Sequence, residues 1–280
     1  MGMLGLIVSG DPIEPHPAFS RYPNPAIIGH RGAPGHAPEN TIAGFERALE
    51  LGADVLEMDL WMTSDGEIVV LHDATVDRTT DGSGPIYELT WEEVQELDAG
   101  AYFMTGPFEF PYAEQGIGVP SLREVFERFP EVPMVLEIKP NSEDLAREVV
   151  QLIREFDRVE NTVIGSFHTR ATEAVREAGP EIATGASRRE STRFLWMSLA
   201  RLTGLHTPQY EALILPERTR RLHVTSPPLR RAADERGLKL FVWTVNQPTQ
   251  IRRLLQQGVD GIVTDYPDRV LEAAEALELR

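Results

Sequence analysis

The chain has 280 residues, 41% of them hydrophobic, no cysteine, and a formal net charge of −17. That length supports one large domain or two small ones, and the missing thiols rule out disulfides, thiolate metal sites and cysteine nucleophiles. The acidic balance argues against nonspecific nucleic-acid binding, which needs a basic face; an anionic substrate would need a local positive pocket.

Residues 1–10 carry a short apolar run with no Lys or Arg ahead of it. A secretory signal needs a basic start and a longer apolar core, so an ordinary N-terminus and a cytoplasmic protein are expected. No apolar stretch approaches the ~20 residues of a membrane helix. Residues 1–25, proline-rich from His16 onward, read as an extended lead-in, and 26–280 as one domain. Within it, β-rich runs alternate with helical patterns. The first strand is Ala26–Gly29. Asn40 or Thr41 caps a helix to Leu51, which Gly52 ends. The second strand is Val55–Met62. Ile68–Leu71 is a strand too, but only Ser64-Asp65-Gly66 separates it from the second, too short for a parallel crossover and right for a hairpin. Its pairing brings His72 back beside Asp59. Residues from about 64 to 119, with Tyr102, Phe103, Phe108, Phe110 and Tyr112, form an insertion expected to lean over the active face; linkers carry few aromatics.

Later strands are expected at Met134–Ile138, Thr162–Phe167, Ile182–Ala186, Ala212–Leu215, Leu238–Val245 and Gly261–Thr264. Helices are expected at Ser121–Phe129, Ser142–Phe156, Thr169–Ala178, Arg189–Leu202, Pro228–Arg236, Pro248–Gln257 and Pro267–Leu277. Several begin with Ser or Thr, or carry Pro in the first turn, as helix starts do. Eight strands each followed by a helix predict an α/β protein, a (β/α)8 barrel with a small insertion between strand 2 and helix 2. No GxGxxG follows a strand, which disfavours a dinucleotide fold.

Polar residues that interrupt or end these apolar runs mark the chemistry. Glu57 and Asp59 lie two apart on a strand and share a face. Two like charges that close repel unless a cation neutralises them, and their neighbours are apolar. With Glu137 in an equivalent strand, they form an oxygen donor set for Mg²⁺ or Ca²⁺. His30 and His72 each end an apolar run near these carboxylates. Histidine titrates near neutral pH, so the pair can serve as general base and general acid. Arg31 offers a bidentate fork for phosphate oxygens, compatible with a salt bridge to Glu39, and Lys139 a point charge. His36, His168, His206 and His223 match no motif. Arg188-Arg189 and Arg218–Arg221 read as solvated helix ends rather than binding patches.

His30-Arg31-Gly32, Pro38-Glu39-Asn40-Thr41, Glu57 with Asp59, Thr63 with Asp65-Gly66, His72-Asp73, Glu137-Ile138-Lys139 and Thr264-Asp265-Tyr266-Pro267 together resemble the signature of the glycerophosphodiester phosphodiesterase family. The match runs in order from about Ala26 to the C-terminus. The resemblance implies a TIM barrel, a divalent metal held by Glu57, Asp59 and Glu137, His30 and His72 as the acid–base pair, and hydrolysis of glycerophosphodiesters to an alcohol and glycerol 3-phosphate. Trp243 matches an aromatic that often lines the family's pocket, with barrel packing as its alternative role. The attacker, water or the substrate's neighbouring glycerol hydroxyl, is not fixed by the sequence, nor is the oligomeric state. The expected substrate is a small deacylated diester such as glycerophosphocholine. A lysophospholipid is the alternative, because Phe194–Leu199 and Leu213–Leu215 are apolar enough to hold an acyl chain and resemble segments of lipid-acting branches; Leu195, Leu199 and Leu202 could equally be a helix's core face. A non-catalytic phosphoester-binding barrel is a further alternative, disfavoured by the complete set of polar residues.

Overall fold

The computed structural model describes residues 10–218 and 223–280. Most of the N-terminal apolar run and of the Arg218–Arg221 run lies outside the described residues. The strands are β1 (Ala26–Gly29), β2 (Val55–Met62), β3 (Ile68–Val70), β4 (Met134–Ile138), β5 (Thr162–Gly165), β6 (Ala183–Thr184), β7 (Ala212–Pro216), β8 (Lys239–Trp243) and β9 (Gly261–Thr264). Eight pair in parallel in the order β6-β5-β4-β2-β1-β9-β8-β7. An isolated parallel bridge between Gly185 and Ala212 joins the two ends, so the sheet closes into the expected barrel. β3 stands off this path and pairs antiparallel with β2, Leu60 opposite Val70, as the short Ser64–Gly66 turn requires.

Nine helices alternate with the strands among the described residues: α1 (Ile42–Glu50), α2 (Trp91–Gln95), α3 (Leu122–Arg128), α4 (Glu143–Glu155), α5 (Thr169–Ala178), α6 (Arg188–Ala200), α7 (Pro227–Glu235), α8 (Pro248–Gln256) and α9 (Pro267–Ala276). Their starts follow local chemistry. The Ser121 and Ser187 hydroxyls accept from the backbone N–H of Glu124 and Glu190, whose carboxylates return the bond to the serine N–H. These reciprocal caps satisfy helix donors that would otherwise be orphaned. The apolar residues of α4 (Leu145, Ala146, Val149, Val150, Leu152, Ile153) are buried against the outer face of the barrel. Each large aliphatic removed from water contributes roughly 1.5–3 kcal/mol before entropy is subtracted. No helix among the described residues is long and apolar enough to cross a membrane.

β6 and β8 are shorter than the expected Ile182–Ala186 and Leu238–Val245, and three further features depart from the sequence expectation. β5 ends at Gly165 rather than Phe167, because the Ser166 hydroxyl donates to the Ile138 carbonyl (2.7 Å) and accepts from the His168 N–H (3.1 Å), diverting the chain from the ladder. The lead-in is not simply extended: Pro17–Arg21 forms a 3₁₀ turn. Phe19 and Tyr22 pack on Phe241 inside the barrel's N-terminal end, with Tyr22 stacked at 5.8 Å, and the Tyr22 hydroxyl donates to the Met134 carbonyl. The insertion builds its own small core from Val69, Leu71, Val76, Ile86, Val94, Ala99 and Val119, with Trp61 and Trp91 against it. That core contains α2, which the sequence reading did not separate. Leu71, next to His72, belongs to that core.

Candidate active site

The polar residues singled out in the sequence meet at the C-terminal ends of the strands. The register explains how. Asp59 on β2 is the parallel partner of Glu137 on β4, and Glu57 pairs with Val135 one step below. Glu57 and Asp59 share a face because side chains alternate along a strand, and the barrel's curvature turns that face inward. The carboxylates of Glu57, Asp59 and Glu137 each offer an oxygen within 4.8 Å of the others. Asp59 is 1% exposed and Glu57 6%. Burial, reinforced by the Asp59 carboxylate, pushes the Glu57 carboxyl up to about 8. Burial also raises Glu137, against the opposing pull of Lys139. A hard, oxygen-preferring divalent cation fits this donor set: it would neutralise like charges held together with little water, and no sulfur competes.

The cations interleave with the carboxylates. The Arg31 guanidinium sits 3.0 Å from Glu39 and 3.1 Å from Asp59, and its backbone N–H donates to Glu57 at 2.9 Å. Lys139 lies 3.2 Å from Glu137 and 3.4 Å from Asp59. The Asn40 amide donates to Asp59 at 3.0 Å. Arg31 therefore makes the expected bond to Glu39 and still faces the carboxylate triad. Its position depends on a tight turn: Arg31 has φ 51° and Gly32 φ 90°. A β-carbon on Gly32 would lie 2.7 Å from the Gly44 backbone. Gly32→Ala is therefore expected to lower stability by about 1–3 kcal/mol, and to weaken metal binding by displacing the Arg31 N–H from Glu57. Denaturant melts with and without Mg²⁺ test this, and an unchanged midpoint would refute it.

The two histidines are oriented alike. His30, directly after β1, presents Nδ1 to an Asp265 carboxylate oxygen at 2.6 Å, and His72, two residues after β3, presents Nδ1 to Asp73 at 2.6 Å. In each ring Nε2 is then the nitrogen left for chemistry. Each carboxylate is itself fixed. The Asn246 amide donates to Asp265, and its carbonyl accepts from the Asp265 N–H. Arg78 bonds both Asp73 and Glu39. Burial works against a charged His30, but the hydrogen bond to Asp265 and the Glu57 charge outweigh it, and its pKa lies above 6.5. For His72, burial together with Arg31 and Lys139 outweighs Asp59 and Asp73, and its pKa lies below 6.5. The β2–β3 hairpin accounts for His72's location: the Leu71 N–H donates to the Asp59 carbonyl, and the Trp61 indole donates to the His72 carbonyl.

Asp265, Asp73, Asn246 and Arg78 are the residues that sequence reasoning left without roles. Asp73 was signalled by its adjacency to His72. Asp265 lies 235 residues from His30; the resemblance includes it in Thr264-Asp265-Tyr266-Pro267, but nothing local in the sequence ties it to His30.

The two histidines and two of the three carboxylates border a cavity of about 140 Å³ whose wall includes His30, His72, Glu57, Glu137, Lys139 and Trp243. The opposite wall is apolar. Trp243 donates from its indole to the Ile214 carbonyl and meets Phe167 edge-on at 5.8 Å. Phe194–Leu199 do not line the cavity. Phe194 and Leu195 are buried under α6 with the outer helices, while Trp196 is 58% exposed. The insertion's aromatics are likewise absent from the lining, and Phe108 is 91% exposed. The insertion contributes His72 rather than an aromatic roof.

Residues 30–269 match the family model described as the glycerophosphoryl diester phosphodiesterase family. The chain is 39% identical over 249 residues to YhdW of Bacillus subtilis, covering 88% of this chain and 96% of that protein. It is 33% identical over 250 residues to the glycerophosphodiester phosphodiesterase of Caldanaerobacter subterraneus subsp. tengcongensis, with 88% and 96% covered. The solved structure of the Oleispira antarctica phosphodiesterase OLEI02445, a complex with the product sn-glycerol-3-phosphate, is similar at a TM-score of 0.70 and 27% identity, over 90% of this chain and 97% of that one. A match of this extent, on a closed barrel whose strand ends carry the motif residues together, places the chain in the glycerophosphoryl diester phosphodiesterase family.

Proposed function

We propose that this chain hydrolyses glycerophosphodiesters to an alcohol and glycerol 3-phosphate, with His30 and His72 as the acid–base pair and Glu57, Asp59 and Glu137 holding a divalent cation, Mg²⁺ or Ca²⁺. The observation that carries the reading is the pair of histidines, each fixed at Nδ1 by an aspartate, bordering the same cavity as Glu57 and Glu137, two of the three clustered carboxylates. Such fixing sets the tautomer and frees Nε2 for proton transfer. A bound divalent cation would polarise a phosphate oxygen as a Lewis acid. Arg31 and Lys139 bind the anionic phosphate beside it, in a chain whose overall charge would otherwise repel it. One histidine takes the proton of the attacking oxygen as its bond to phosphorus forms. The other gives a proton to the alcohol oxygen as the phosphorus–alcohol bond breaks. Trp243 and Phe167 supply an apolar wall against which the carbon skeleton of the substrate rests.

The substrate favoured is the small deacylated diester. Of the two apolar segments expected to hold an acyl chain, Phe194–Leu199 lies in the outer helical layer with Trp196 turned to the outside, and only Ile214 of Leu213–Leu215 reaches the cavity wall. Glycerophosphocholine should release glycerol 3-phosphate with Mg²⁺ or Ca²⁺ and stop when EDTA is added, measured by a coupled glycerol 3-phosphate assay. Lysophosphatidylcholine should be turned over no better. Turnover that persists after exhaustive chelation would remove the metal from the scheme, and a clear preference for the lysophospholipid would reverse the substrate reading.

A further inference from the structure

We propose that the groove beyond Phe167 is a second anion subsite, which takes a phosphate group carried on the alcohol half of the substrate; this rests on the hydrolase reading above. The catalytic cavity, about 140 Å³, is smaller than the roughly 300–1,000 Å³ of most ligand pockets. A whole diester therefore extends past its rim. Phe167 belongs to that rim and also to the wall of a neighbouring groove of about 500 Å³, bordered by Asn141, His168, Arg170, Arg188 and Arg189. A substrate leaving the cavity over Phe167 enters this groove.

Two of the groove's three arginines are uncompensated. Arg170 bonds Glu143 at 2.7 Å. Neither Arg188 nor Arg189 has a carboxylate within ion-pair distance among the described residues, although Asp and Glu outnumber Lys and Arg 44 to 27. Arg188 is also held in place. Its backbone N–H donates to the Phe167 carbonyl, and its guanidinium carbon stands 5.2 Å from the Phe167 ring centre. The two arginines occupy the first two positions of α6. Cations there oppose the helix dipole, which favours acidic residues in the first turn. A local choice that costs stability and borders a catalytic rim marks function rather than solvation. A solvated helix end explains neither the stacking on Phe167 nor the pairing of two cations where the dipole disfavours them. A planar guanidinium fork suits phosphate oxygens.

Glycerophosphoinositol and glycerophosphoinositol 4-phosphate test this, since they share the scissile diester and differ by one phosphate monoester. At low ionic strength kcat/KM for the phosphorylated diester should exceed the other by about three- to tenfold, the scale of exposed charge pairs. The advantage should shrink at about 1 M salt, where the Debye length is ~3 Å. In the Arg188→Gln, Arg189→Gln double variant the ratio of the two kcat/KM values should fall to parity. Equal wild-type kcat/KM values, or a preference that survives the double substitution, would overturn the subsite. Calorimetric Kd values for both diesters on His72→Ala, with and without the two arginine substitutions, read the same ratio without turnover. If neither diester is hydrolysed by the wild type yet the Kd ratio follows the arginines, the hydrolase reading falls and the subsite stands.

Discussion

His30→Ala and His72→Ala should each lower kcat by at least ~10²-fold, the low end for a positioned acid or base, while leaving the barrel folded. Neither ring is part of the apolar core; their side chains are 17% and 29% exposed. The directions of their pKa values predict the pH profile as well. His72 lies below 6.5, so it is neutral and able to accept a proton over most of the neutral range. His30 lies above 6.5 and stays protonated further up. Activity should rise with pH as His72 loses its proton and fall as His30 loses its own. Near-normal turnover in either variant would remove that histidine from the chemistry.

Asp265→Asn refines the same expectation. It takes away the carboxylate charge that holds His30 protonated, so the His30 pKa falls and the alkaline limb moves to lower pH. A purely structural aspartate would lower activity at every pH and leave the limb in place.

The parts of the site that follow from local rules were legible in the sequence. Alternation along β2 put Glu57 and Asp59 on one face, and a turn too short for a crossover returned His72 to them. What was not legible depends on contacts far apart in the chain. Asp265 reaches His30 because β1 and β9 are neighbours in the closed barrel, a fact of topology rather than of pattern. Arg78 ties Asp73 to Glu39 across the mouth, from a loop with no periodicity to read. The apolar run Phe194–Leu199 left two roles open for a different reason. Hydrophobicity alone cannot say which side of a helix is covered, and the phase of α6 buries Phe194 and Leu195 while leaving Trp196 outside. The proline-rich stretch before β1 hid Phe19 and Tyr22, whose rings close the barrel's far end. Proline predicts backbone shape and says nothing about what neighbouring side chains fill.

Glu57→Gln should change the sign of its effect on stability when metal is added. In the absence of metal the Glu57 carboxyl titrates at about 8, raised by burial and by Asp59 from an ordinary value of 4.5. A carboxyl raised in the folded state stabilises that state fully below its unfolded pKa, and this contribution is lost as pH rises through the folded pKa. Wild-type stability should therefore decline between pH 4.5 and 8 through this group. Glutamine keeps the shape and carries no charge, so the variant lacks that decline. Its Tm should exceed wild type at pH 8 and converge with it near pH 4.5. Divalent cation reverses the order. Binding to the folded state alone stabilises by about 2.7 kcal/mol at a hundredfold excess over Kd, and only the wild type retains all three carboxylates. Binding to wild type near neutral pH should also release a proton, since a metal ligand must be ionised. Calorimetry in buffers of different ionisation enthalpy reads that proton directly. A variant that gains as much Tm from Mg²⁺ or Ca²⁺ as wild type does would show that Glu57 is no ligand. The raised carboxyl would then have to be explained by burial beside Asp59 alone.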